Sequence, residues 1–86
     1  MKWNQRSKRE LELIFESGTT VLMIDRKPAA AKIPQSETVT QVITTKRQLD
    51  AESKRLLDMW LGNQPTRMTM VTDDIIENII ESESKK

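Results

Sequence analysis

The sequence predicts an α+β protein: a small antiparallel sheet with one packed N-terminal helix, followed by a helical C-terminal extension. Three observations predict it. Residues 7–17 carry a capping signature, a helical apolar face and a glycine stop. Residues 19–33 hold two short runs of β-branched and aliphatic residues around a Lys-Pro turn. Residues 50–83 hold two apolar stripes at helical spacing. With 86 residues the chain has room for one domain and a small core.

In chain order, Lys2-Trp3-Asn4-Gln5 reads as a short extended strand. Ser7-Lys8-Arg9-Glu10 fits a capping box, with Ser7 as N-cap and Glu10 at N3. Leu11, Ile14 and Phe15 then share one helical face, and Gly18 supplies the left-handed stop, which predicts a helix over 7–17. Thr19 to Asp25 reads as a strand with both faces apolar, and hence central. Asp25 to Pro28 is a turn, and Ala29 to Ile33 is an antiparallel neighbour closed by Pro34. Thr38 to Thr45 has strand composition with mixed alternation, so a strand and an extended arm both fit.

Asp50 caps a helix through Leu56, Leu57, Trp60 and Leu61, stopped at Gly62. Asn63-Gln64-Pro65-Thr66 reads as a linker, and Met68 and Met70 as part of a short extended piece. Thr72 caps a last helix with Asp73 and Asp74 in its first turn, where the helix dipole favours negative charge. Its stripe is Ile75, Ile76, Ile79 and Ile80, with Val71 and Ile76 as a hydrophobic staple, and residues 81–86 are expected to fray.

Composition narrows the function. The chain has no cysteine and no histidine, and its glycines are Gly18 and Gly62. Disulfides, thiolate zinc sites, histidine triads and Gly-rich phosphate loops are therefore excluded. The expectation is a binding protein, not an enzyme, without cofactor or metal. Asp73, Asp74 and Glu77 are adjacent carboxylates without histidine, a pattern that suits helix N-terminal charges better than a metal site. No apolar run approaches the roughly 20 residues of a membrane span, and the N-terminus lacks a signal-peptide core, so the expected location is the cytoplasm. Residues 1–67 carry twelve Lys and Arg against eight Asp and Glu, whereas residues 68–86 carry two against five. A basic body with an acidic tail can face two partners, and it is also what a solvated surface with an acidic helix start looks like.

The order SKRELELIFESG, TTVLMID, RKPAAA, KIP resembles the Phd/YefM (prevent-host-death) antitoxins of type II toxin–antitoxin modules. MKWNQ would correspond to that family's opening strand. The resemblance covers about the first 35 residues. It departs from the family at the turn, where Arg26 stands near the place of the usual glycine. It implies that residues 1–48 form a dimerising, DNA-binding unit and that residues 49–86 form a helical toxin-binding segment.

Lys2, Arg6, Lys8 and Arg9, with Arg26 and Lys27, are then the candidate operator-DNA contacts, and a solvated helix start is the bland alternative. Trp60, Asp73, Asp74, Ile75, Ile76, Ile79 and Ile80 are the candidate toxin contacts, with packing on the chain's own sheet as the alternative. The expected function is an antitoxin that neutralises a cognate toxin and represses its own operon as a homodimer. The alternative is a stand-alone DNA-binding regulator, or a phage-type accessory interaction protein without a toxin.

Overall fold

The alternation Glu10-Leu11-Glu12-Leu13 decides the first half of the architecture. In the computed structural model, which describes residues 1–62 and 68–85, this segment is a strand. The sheet has six strands in sequence order: β1 (Lys2–Gln5), β2 (Glu10–Ile14), β3 (Thr20–Ile24), β4 (Lys27–Pro34), β5 (Thr40–Thr45) and β6 (Met68–Val71). Helix α1 (Ala51–Leu61) joins β5 to β6, and α2 (Asp73–Ser84) follows. The first five strands form an antiparallel meander, and β6 lies parallel to β5. A parallel pair needs a long crossover, which α1 supplies.

Two expectations fall here. No helix spans residues 7–17, and the C-terminal half is no helical extension, because β6 joins the sheet and a helix covers each face. The capping signature is satisfied differently. Ser7 Oγ accepts from the amides of Arg9 and Glu10, as a helix cap would, but these bonds close the β1–β2 turn. The residues that follow repeat with period two, and pairing with β1 and β3 rewards that period. Gly18 has the positive φ expected of it, +94°, but uses it in the β2–β3 turn, where Phe15 and Thr19 are bonded.

Successive strand residues face opposite sides of a sheet. Leu22, Ile24, Ala30 and Val42 meet Leu56, Leu57, Trp60 and Leu61 of α1. Val21, Ala31 and Ile43 meet Phe15 and Ile76 on the α2 side, with Leu13, Ile33, Val71, Ile79 and Ile80 packed around them. The small residues Ala29, Ala30 and Ala31 leave room on β4 for a helix on either side, and all three are fully buried. Leu22 pairs with Ala30 and Met23 with Pro28, so Ala29 is the extra residue of a bulge beside the hairpin. A two-faced apolar strand can be covered by a second copy of the chain, but here α1 and α2 cover both faces of β3 within one chain.

The second half matches its sequence reading more closely. Asp50 caps α1 by accepting from the Ser53 amide at 2.8 Å, and Gly62 ends it at φ +62°. Thr72 precedes α2 without a side-chain cap bond, and the helix continues through Ser84, beyond the expected fraying point. The region 38–45, open between strand and arm, supplies a strand between β4 and β6. The expected linker at 63–66 lies outside the described residues. Among the described residues, no helix is long and apolar enough to cross a membrane.

Candidate functional site

One end of the sheet collects cations from three connections. The meander sends the β1–β2 turn (residues 6–9), the β3–β4 turn (Asp25 and Arg26) and the segment after β5 (residues 46–50) to the same end, here called the head. Both helices start there, because β5 and β6 run the same way into them. Arg6, Lys8, Arg9, Arg26, Lys27, Lys46 and Arg47 therefore share the head. Lys2 does not: it pairs with Ile14 at the opposite end, the foot.

Three of these cations are committed to the fold. Arg6 reaches Glu10 at 3.4 Å. Arg9 donates through Nε to Asp25 at 2.9 Å and through Nη2 to Ser53 Oγ at 2.8 Å, and it approaches Asp50 at 3.4 Å. It thus ties the β3–β4 turn to the start of α1, and its guanidinium is held even further above neutrality than an ordinary arginine by the bond to Asp25. The same bond holds the Asp25 carboxyl below its ordinary range.

Arg47 does the same for α2. It donates to Asp73 at 2.9 Å and to the Pro28 carbonyl at 3.2 Å, while Thr45 donates its hydroxyl to Asp73. Burial works against the charged form of Asp73. The hydrogen bonds from Thr45 and Arg47, together with the charge of Arg47, outweigh it and keep the carboxyl below its ordinary range.

Lys8, Arg26, Lys27 and Lys46 are exposed, and among the described residues none is in an ion pair. Arg26 is held at φ +67° beside Asp25 at +54°. These angles suit a two-residue hairpin turn, but they strain residues with a Cβ, and glycine would relieve the strain. Beside the turn a cleft of about 620 Å³ is lined by Leu11 and Met23 together with Lys8 and Arg26.

The candidate toxin contacts divide. Trp60 is buried in the α1 face: its indole donates to Glu12 at 2.7 Å, and Lys32 lies 4.3 Å over the ring and donates to the Trp60 carbonyl at 3.0 Å. Burial lowers the Lys32 pKa. Ile76 is fully buried, and Ile79 and Ile80 are half-buried against the sheet. Asp73 is spent on Arg47 and Thr45, whereas Asp74 and Ile75 remain exposed.

Sequence reasoning missed Lys46, which lies outside the basic N-terminal cluster and joins the others only through the β5 register. A signal was present: Lys46-Arg47 directly follows a strand-like run, which places both residues at a strand end. The sequence and fold were compared with known proteins: no family model, no curated protein and no solved structure matches this chain.

Proposed function

We propose that this protein acts by binding and that the head of the sheet contacts nucleic-acid phosphates. The observation that carries this reading is the convergence of Lys8, Arg26, Lys27 and Lys46, exposed and outside any ion pair among the described residues, from three connections distant in sequence. Isolated lysines on a surface are ordinary, but four such cations converging on one end make a field that attracts phosphate. Arg26 adds to this, since a strained turn position is occupied by a cation where glycine would be easier. Such contacts position a protein on the backbone and release counterions, so affinity falls steeply with salt.

Fluorescence anisotropy with a labelled duplex at low salt tests the reading. Wild type should bind with a negative slope of log K against log salt. Changing Lys8, Arg26, Lys27 and Lys46 to Ala should weaken binding and flatten the slope by about 0.9 for each phosphate that is no longer neutralised. Failure of the wild type to bind duplex at low salt, or a quadruple variant that binds as well as wild type, overturns it.

Within this reading, a stand-alone nucleic-acid-binding regulator is favoured by the packing of α2, since a tail that wraps a toxin would leave its apolar stripe free and Ile76 is fully buried. The antitoxin reading draws its support from the sequence resemblance, whose element order included a helix over 7–17. Under it the head takes the operator, and Asp74, Ile75 and Glu77, exposed residues in the first turns of α2, take the toxin. Co-purification from the native host with the product of an adjacent gene, lost on Ile75→Lys, is its test.

A further inference from the structure

Among the described residues the sheet has two open edges, and they are built differently. Edge strand β1 carries Lys2, Asn4 and Gln5, the kind of charged and polar residues that deter another strand. Edge strand β6 reads Met68-Thr69-Met70-Val71, with no charge and no proline. Met68 and Met70 are 57% and 59% exposed. They floor a groove of about 620 Å³ walled by Leu57 and Leu61 of α1. A neutral, apolar edge of this kind invites pairing unless something covers it.

The backbone of β6 says which groups are free. The Val71 carbonyl accepts from the Lys46 amide at 2.7 Å, so Val71 faces β5, and so does Thr69 two residues earlier. Met68 and Met70 therefore turn their amides and carbonyls outward to the open edge. This pattern is self-complementary. When two copies of β6 run antiparallel about a twofold axis at Thr69, Met68 of each copy stands opposite Met70 of the other. In such pairs both N–H···O bonds are exchanged, so all four outward groups of each copy are satisfied. The methionines then stack across the seam on the α1 side.

Charge agrees with this orientation. Antiparallel pairing lays the basic head of one copy beside the foot of the other. The turns and helix end that close the foot carry Glu16, Glu37, Glu81 and Glu83, with Lys2 and Lys85 as the cations beside them. Along the groove, Lys46 and Lys54 stand toward the head and Asp58 one turn further along α1 toward the foot. The twofold axis sets the cationic end of one groove against the Asp58 end of the other. Parallel pairing would set head against head.

We propose that β6 is the dimer seam, joining two copies of this chain into one continuous sheet. The groove beside the seam reaches the head at Lys46 and Arg47, but the Met70 variants below change neither residue, so the seam stands or falls apart from nucleic-acid binding.

Sedimentation of the full chain from micromolar to sub-millimolar concentration should show a species of twice 10.0 kDa. Met70→Pro is the sharp variant. Its missing amide hydrogen points away from β5, so the β5–β6 pairing is kept while the Met70-to-Met68 bonds across the seam are lost. Dimer dissociation should become about tenfold easier or more. Met70→Lys, at an exposed position, should dissociate the dimer through like-signed charge in the seam, with unchanged circular dichroism as the check on folding. Trp3→Ser, on the other edge, should leave the mass doubled. A single-chain mass throughout the range overturns the proposal and leaves the edge to a foreign strand. So does a dimer that both Met70 variants leave intact.

Discussion

The two helices cover opposite faces of one sheet and are held there by different chemistry. On the α1 face, aliphatic packing is joined by a polar clasp: Trp60 reaches across to Glu12 of β2 and lies under Lys32 of β4. On the α2 face the contact is almost wholly aliphatic, with Ile76 at its centre. Both helices are pinned at the head by an arginine–aspartate pair, Arg9 with Asp50 for α1 and Arg47 with Asp73 for α2. The difference teaches where specificity comes from in a chain poor in aromatics. Away from that pin, α2 is held on its face by branched aliphatics and Phe15. A directional bond from an indole fixes α1 against a strand distant in sequence, which non-directional packing alone would leave less well defined.

The largest expected effect breaks the α1 face. Trp60→Ala should cost about 4 kcal/mol, since it removes a buried aromatic, leaves Glu12 without its indole donor and takes the ring from under Lys32. Trp60→Phe separates packing from direction. It keeps most of the apolar volume, so a loss of about 1–2 kcal/mol measures the indole bond. Chemical denaturation reads both, and equal losses for the two variants would show that the polar clasp, not the packing, holds α1.

The α2 face comes next. Ile76→Ala should cost about 3 kcal/mol, while Ile75→Ser, one residue away at a 43% exposed position, should change stability by less than about 0.5 kcal/mol. Amide exchange in the middle of α2 should be as slow as in β3. If Ile76→Ala leaves the denaturation midpoint alone, α2 is a docked tail and not part of the core, and the antitoxin reading regains its toxin-binding segment.

Legibility in the sequence followed the reach of the signals. Helix α1 was readable because its signals are local: Asp50, the Leu56-Leu57-Trp60-Leu61 stripe and Gly62 need no knowledge of what they pack on. The strand β3 was readable because apolar residues on both faces require a central place. Residues 7–17 misled because two periods overlap there. Leu11, Ile14 and Phe15 suit a helix, while Leu11, Leu13 and Phe15 suit a strand, and the capping box serves a turn equally well. The choice between them was made by β1 and β3, which lie outside the segment. The fate of the isoleucine stripe depended on that choice, since a sheet without β2 and β6 offers α2 less to cover. The head was half legible. The sequence pointed to Lys8, Arg26 and Lys27, but only the meander brings Lys46 beside them and sends Lys2 to the foot.

The smallest expected effects separate the two arginine pins. Asp50 and Asp73 both have carboxyls held below their ordinary range, Asp50 chiefly by the hydroxyl and amide of Ser53, and Asp73 by Thr45 and Arg47 against the cost of burial. A carboxyl depressed in the folded state stabilises fully above the pKa of the unfolded chain, about 3.9. That contribution is lost as pH falls from there through the folded value, so both pins should weaken below about pH 4. They differ in exposure: the side chain of Asp50 is 64% exposed and that of Asp73 is 28% exposed. Asn caps a helix as well as Asp, so Asp50→Asn keeps the cap and removes only the charge. Its small cost at neutral pH should vanish at about 1 M salt, where screening acts within about 3 Å. Asp73→Asn should cost more at neutral pH, keep most of that cost in salt, and flatten the acid limb of the stability curve, because the partly buried Arg47 is left without its anion. Thermal melts of the two variants between pH 3 and 7, with and without salt, make the comparison. Equal salt sensitivity would mean that Asp73 holds α2 through solvent-exposed charge, and that the α2 face rests on Ile76 and its neighbours alone.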